Sequence, residues 1–300
     1  MSAQAEEGTL RRMTLGEIAM ARRVFGDSIV YSRVWIHCDS YLPFGLQKQN
    51  YAMTPNGELW YRKSMYREDF SANSVFIEDK YVFIHELGHV WQHQHGQWVR
   101  MRGAFSWAAE YTYKLDKEKL TDYSLEQQAS ILADYWLLLV YGISKWSYYQ
   151  RAGRMGMYRG VDKLRRCSFA LPENRNREGA LNMKNKMLLG VVFLLTGCPG
   201  PSDRMVDRES TTALIKDNQV CVVSPLEPQD RITAIQINSD NSGSLHKIFD
   251  DKPVYVPKGE CLPVFGFKFT SGKRYNFAYD VQSDKSESHL VTAEFSYPNE

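Results

Sequence analysis

No surplus of charge marks this chain. Its 300 residues carry 37 Lys and Arg against 35 Asp and Glu. The balance is slightly positive over residues 1–182 and slightly negative beyond them, so neither part offers the basic surface that nucleic-acid binding needs. Cysteine is scarce as well, with five residues and no closely spaced pair of the kind that grips a metal. Cys38 and Cys167 stand far apart and read as reduced thiols. The apolar run Met187–Leu195 is too short to span a bilayer. Residues 1–8 are polar and acidic with no apolar stretch behind them, so no secretory signal opens the sequence. The front part is therefore expected to stay in the cytoplasm or to leave by a route that reads no N-terminal signal.

Against these absences stands His85-Glu86-Leu87-Gly88-His89, an HExxH pentapeptide behind the apolar run Tyr81-Val82-Phe83-Ile84. On a helix, His85 and His89 project from one face and can grip a single Zn²⁺. Glu86 then lies beside the open coordination position, placed to take a proton from a water there. That chemistry hydrolyses amide bonds. Val82, Phe83, Leu87, Val90 and Trp91 would seat the helix in a core, and Gly88 leaves room beside the ligands. The helix is expected from about Asp79 to Gln94, with Gly96 as a stop. The bland alternative is a satisfied helix with two surface histidines.

A zinc hydrolase of this type needs a third protein ligand. Glu126 is the choice, because it shares a helical stripe with the small residues Ala129, Ser130 and Ala133, and a helix with such a face can approach the metal helix closely. Asp134 lies eight residues further, about 12 Å along the axis, too far to share the ion. It is the candidate acceptor for a ligand imidazole N–H. Glu110 is the other candidate ligand. His93 and His95 extend the cluster but read as surface or supporting groups. The aromatic stretch Gln97–Lys114 reads as core more readily than as a substrate-facing surface.

A second signal divides the chain. Met183-Lys184-Asn185-Lys186 is basic, Met187–Leu195 is apolar, and Leu195-Thr196-Gly197-Cys198 has the form of a bacterial lipobox, followed by Pro199. Such a signal belongs at the start of a chain, so two coding regions are expected to be joined here, by a genuine fusion or a merged reading frame. The expected organisation is a front domain at 1–170, a linker at 171–182, an internal lipoprotein signal at 183–198 and a rear domain at 199–300. Cys198 is the lipidation candidate and the only expected link to a membrane; Pro199 in place of Asp points to outer-membrane sorting. Cys221 and Cys261 are a candidate disulfide in an oxidising periplasm.

The front part reads as α+β. Thr14–Phe25 is a helix opened by the capping box Thr14-Leu-Gly-Glu17. Val34–Cys38 is a strand, Ala52–Tyr61 is strand, turn and strand around Asn56-Gly57, and Ser124–Tyr141 is a second long helix. The rear part reads as a small all-β, sandwich-like domain. Its strands are expected at Gln219–Val223, Arg231–Asn238, Pro253–Pro257, Leu262–Phe269, Tyr275–Val281 and His289–Tyr297. It holds no catalytic constellation, so its role is binding.

The stretches TLGEIAMARRVFGDSIVYSRVWIHCDSYLPFG at 14–45, HELGHVWQHQ at 85–94 and LEQQASILADYW at 125–136 resemble the Vgr-related proteins encoded beside type VI secretion spike genes. The resemblance covers about residues 10–165. It implies a zincin-like metallopeptidase toxin domain with zinc on His85, His89 and Glu126 and with Glu86 as the catalytic base. The part from Met183 resembles the small immunity lipoproteins encoded after such effectors. Together these imply an interbacterial zinc hydrolase joined to its antidote, delivered by a secretion spike. It would act in the target-cell periplasm on peptidoglycan peptides or envelope proteins. The alternative from another class is a secretion-associated adaptor whose HExxH is vestigial.

Overall fold

The computed structural model describes residues 5–97, 111–152, 158, 204–216, 219–240, 243–249, 252–285 and 287–299. The linker, the signal with Cys198, and the residues Glu110 and Cys167 lie outside the described residues. No described helix is long and apolar enough to cross a membrane.

Among the described residues, three α-helices and a small sheet make up the front part. The strands β1 (Thr9–Arg12), β2 (Trp35–Cys38) and β3 (Leu59–Tyr61) form a sheet in that order, with β2 antiparallel to β1 and parallel to β3. Helix α1 (Leu15–Phe25) starts at the Thr14–Glu17 capping box. Glu17 is fully buried, held by Arg11 at 2.7 Å and by the Phe70 N–H at 2.8 Å, so a charge that caps a helix also fixes the chain that crosses it. Helix α2 (Ile77–Gln94) is buried from Ile77 to Gln92. A helix covered on all sides must still satisfy its polar side chains inside the protein. Among those α2 carries are Glu78, Asp79, His85, Glu86, His89 and Gln92. Helix α3 (Leu125–Arg151) packs on α2 in one core that includes Leu87, Val90, Trp91, Ile131, Leu132 and Trp136. It continues ten residues past the expected end at Tyr141, across a break at Gly142 (φ 80°, ψ 171°).

In the rear part, β4 (Arg208–Ser210), β7 (Arg231–Asn238), β8 (Leu245–Ile248), β10 (Arg274–Gln282) and β11 (His289–Ser296) form a sheet of order β4-β11-β10-β7-β8. The strands β5 (Ala213–Lys216), β6 (Gln219–Val223) and β9 (Cys261–Leu262) form a second sheet of order β5-β6-β9. Val222 and Leu262 of the smaller sheet share a core with Ile235, Ile237, Phe277 and Tyr279 of the larger. Every residue of β7 from Ile232 to Asn238 is buried. Strand side chains alternate between faces: Ile235 and Ile237 enter the rear core, while Ala234 joins the front core and Gln236 meets α2.

Two expected strands are corrected. Pro253–Pro257 contributes only the bridge of Val254 to Ile232, and Leu262–Phe269 is extended only through β9. Proline supplies no ladder N–H, and after Pro263 the chain turns through Phe265 (φ 49°) and Gly266 (φ 71°). Strands β1, β4, β5 and β8 were not anticipated; three of them show mostly exposed residues and no buried-exposed alternation.

Candidate metal centre

Helix α2 brings His85 and His89 to one face, and the first turn of α3 brings Glu126 opposite them. One donor atom from each of the three lies within 4.8 Å of the others. Glu126 Oε2 is 3.4 Å from His85 Nε2 and 3.2 Å from His89 Nε2. Ligand bonds of about 2.0–2.1 Å in tetrahedral geometry put neighbouring donors about 3.3 Å apart. The two carboxylate–imidazole spacings therefore match what a zinc ion would require of these donors. His85 is fully buried and His89 nearly so, while the Glu126 side chain keeps 17% of its surface.

The close approach of the helices has a local cause. A Cβ placed on Gly88 would stand 3.0 Å from both Cα and Cβ of Ala129. With Ser130 and Ala133, Ala129 makes a fully buried small-residue stripe on α3. The stripe lets α3 lie against the backbone of α2, and Glu126, one turn before Ala129, is carried to the imidazoles.

Two residues that the sequence did not single out hold the centre in place. His89 Nδ1 lies 2.8 Å from Gln92 Oε1, and Gln92 Nε2 donates to the Leu125 carbonyl at 2.7 Å. With its amide oriented by Leu125, Gln92 accepts from Nδ1–H, so Nε2 is the ring atom that faces Glu126: it carries a proton when the imidazole is charged and is free to ligate when the imidazole is neutral. The same side chain thus sets the tautomer of one ligand and pins the start of the helix that supplies another. On the other side, the Thr54 hydroxyl donates to Glu86 Oε2 at 2.5 Å, and Glu86 is buried. Thr54 precedes Pro55 in an irregular turn, and Gln92 is one of several glutamines near the helix end. Neither carries a periodicity or motif that would mark it.

Burial pushes the Glu126 carboxyl up, but the charge on His89 and hydrogen bonds from His85 and His89 outweigh it and hold the group below the ordinary carboxylate range. Tyr61, fully enclosed, is pushed well above the ordinary phenol range by burial and by the neighbouring Glu86 charge. The interior thus keeps Tyr61 neutral beside the carboxylate.

Asp134 takes a different place from the one expected. Its Oδ1 accepts from the Tyr81 hydroxyl at 2.9 Å and its Oδ2 from the Tyr113 hydroxyl at 2.7 Å. The acceptor that orients a ligand imidazole is Gln92, which is one helical turn from His89, whereas Asp134 is two turns along α3 from Glu126. His93 is exposed and lies under the Asn56-Gly57 turn, where a Gly57 Cβ would stand 2.4 Å from its ring. His95 Nδ1 bonds the Trp91 carbonyl at 2.8 Å. The Tyr111 ring stacks at 6.4 Å from that of His85. Far from the centre, Cys221 and Cys261 are joined by a disulfide, and Cys38 is the buried free cysteine of the described residues.

Fold and site together describe a helix-borne His-Glu-His centre closed by a glutamate from a second helix, with a separate two-sheet unit behind it. Comparison with known proteins gives each part a relative. A family described as "Domain of unknown function (DUF7480)" matches residues 208–300. The chain is 41% identical over 141 residues to the type VI secretion system spike protein VgrG2b of Pseudomonas aeruginosa, a match over 44% of this chain and 13% of that protein. Identity at that level marks common descent over the matched stretch, which is a small part of the spike protein's length. Among solved structures, the effector domain of Pseudomonas aeruginosa VgrG2b matches with 33% identity and a TM-score of 0.40, over 53% of this chain and 89% of that one. Over the matched stretch the chain is thus related to a type VI secretion system spike protein.

Proposed function

We propose that the front part is a zinc-dependent amide hydrolase serving as a type VI secretion effector. On this reading it acts on peptidoglycan peptides or envelope proteins, and the rear part is its lipoprotein antidote. The observation that carries the reading is the convergence of His85, His89 and Glu126 at zinc-ligand spacing, with Glu86 beside them on the same helix. Kinship with the VgrG2b effector supports the delivery route.

His85, His89 and Glu126 would hold the ion. When bound, zinc supplies Lewis acidity and an open position at which a water and the scissile carbonyl meet. Glu86 takes the proton of the attacking water and passes it to the departing amine as the C–N bond breaks. Thr54 fixes one oxygen of that carboxylate at 2.5 Å, so the base is aimed before substrate arrives. Gln92 keeps His89 in the tautomer a metal needs. The buried walls exclude bulk water, which strengthens each of these charge interactions.

The test is a zinc determination with Glu86→Gln. About one zinc per chain in both proteins is expected, with release of fragments from purified peptidoglycan or from an envelope-protein substrate only by the parent. A chain that binds no zinc, or a variant as active as the parent, overturns the reading and leaves an adaptor with an unused motif.

A further inference from the structure

Helix α2 begins without a cap of its own. Its N-cap residue Phe76 makes no side-chain capping bond, and the first turn carries two buried acids, Glu78 and Asp79. The missing partner comes from the rear sheet. The Ile77 N–H donates to Gln236 Oε1 at 3.2 Å, and Gln236 Nε2 donates back to both Glu78 oxygens at 3.0 and 2.9 Å. This is the reciprocal exchange of a capping box, supplied by a residue some 160 positions away. Asp79 is shared between Arg67 of the front part and Arg208 of β4. An apolar contact of Phe76 with Ala278, Leu290 and Val206 lies beside these bonds.

Further contacts join the same two parts. Ser74 meets Asp240 and Asn276, Tyr148 meets Thr233, Tyr149 meets His246, and Asn50 meets Asp207. Among the described residues, none of these contacts involves His85, Glu86, His89 or Glu126. Glu78 and His85 are seven residues apart, about 10 Å along α2.

We infer that the rear unit recognises the acidic, uncapped start of the metal helix, with Gln236 capping it and Arg208 closing on Asp79, and that it docks there without covering the metal ligands. The docking stands on the contacts themselves. Its consequence for the metal rests on the function proposed above. The partner that this surface fits is a β-sheet presenting the Gln236 amide and the Arg208 guanidinium. Any block of hydrolysis by the rear unit then works by restricting large substrates or by acting through α2, not by filling the pocket.

The test uses the full chain with a protease site placed in the 171–182 linker, cut after folding. At about 1 μM the two fragments are expected to co-elute on gel filtration. Gln236→Glu sets two carboxylates face to face and should raise the fragment dissociation constant about 10- to 100-fold. Adding Glu78→Gln to that chain exchanges donor for acceptor across the seam and should restore association to within about tenfold. A merely misfolded variant would not be rescued. Lys258→Ala, at an exposed ion pair with Glu227, should change nothing. Fragments that separate unaided, or association indifferent to Gln236→Glu, overturn the docking. For the pocket, Zn²⁺ is loaded and its removal by a small chelator is followed in the cut complex and in the dissociated Gln236→Glu fragments. Rates within about twofold are expected, and protection above tenfold in the complex overturns the uncovered pocket. A chain that takes up no zinc fails the proposed function alone, because co-elution and rescue are read without metal.

Discussion

Gly88→Ala is the sharpest probe of how the centre is built. Alanine is intrinsically the better helix residue by about 1 kcal/mol, so in an open helix the change would stabilise. Here the new methyl meets the Ala129 Cα and Cβ at 3.0 Å, against about 3.5–4.0 Å for ordinary carbon neighbours. Relief requires α3 to move away by about 0.5–1 Å. Overpacking of this kind costs about 1–3 kcal/mol, so the net effect is a loss of up to about 2 kcal/mol. In thermal unfolding of the metal-free protein that is a drop of a few degrees. The larger effect falls on the metal. Glu126 rides on the displaced turn, and metal-ligand distances tolerate shifts of only about 0.2 Å. Zinc affinity, measured by competition with a chelating dye, should fall about 10- to 100-fold. Ala129→Gly in the same chain removes the opposing methyl but leaves the backbone of α3 in the way, so it should recover part of that loss. A Gly88→Ala protein with a raised midpoint and zinc affinity within twofold of the parent would refute the account of the helix crossing.

Glu126→Ala should reduce zinc occupancy far more than Asp134→Asn. The Asp134 change should instead lower stability by about 1.5–3 kcal/mol for each weakened tyrosine bond, read by denaturant titration. Burial and the neighbouring Lys145 charge push His246 down to about 3. The unfolded chain, with a histidine near pH 6.5, therefore binds more protons than the native one between those values. Stability should fall as pH drops from about 6.5 towards 3, and His246→Asn should flatten that slope in pH-dependent unfolding. The Cys221–Cys261 bond closes a loop of 40 residues, worth about 4 kcal/mol in the chain-entropy account. Reduction should shift the denaturant midpoint of the rear unit and leave zinc binding in front unchanged.

Much of the centre was legible because helices write their geometry into residue spacing. HELGH fixed two donors, and the small stripe Ala129-Ser130-Ala133 told which carboxylate could come near. The Thr14–Glu17 box and the strands at 219–223 and 231–238 were equally readable. What stayed hidden depended on contacts between distant segments. Gln92 and Thr54 depend on bonds to partners 33 and 32 residues away, and no local pattern encodes those bonds. Asp134 was misplaced because spacing along α3 gives its height but not which tyrosines reach it. The edge strands failed to show because they bury too little to alternate.

The break in α3 at Gly142 has a mechanical consequence. One end of this helix carries Glu126, and the other carries Tyr148 and Tyr149, which meet the rear sheet. An unbroken rod would transmit any tilt at the tyrosines to the carboxylate about 33 Å away. At φ 80° and ψ 171° the chain leaves helical geometry in a region that side-chain-bearing residues rarely enter, and the rod becomes two levers on a joint. The carboxylate and the two tyrosines therefore ride on two helical segments joined at the glycine, not on one continuous rod.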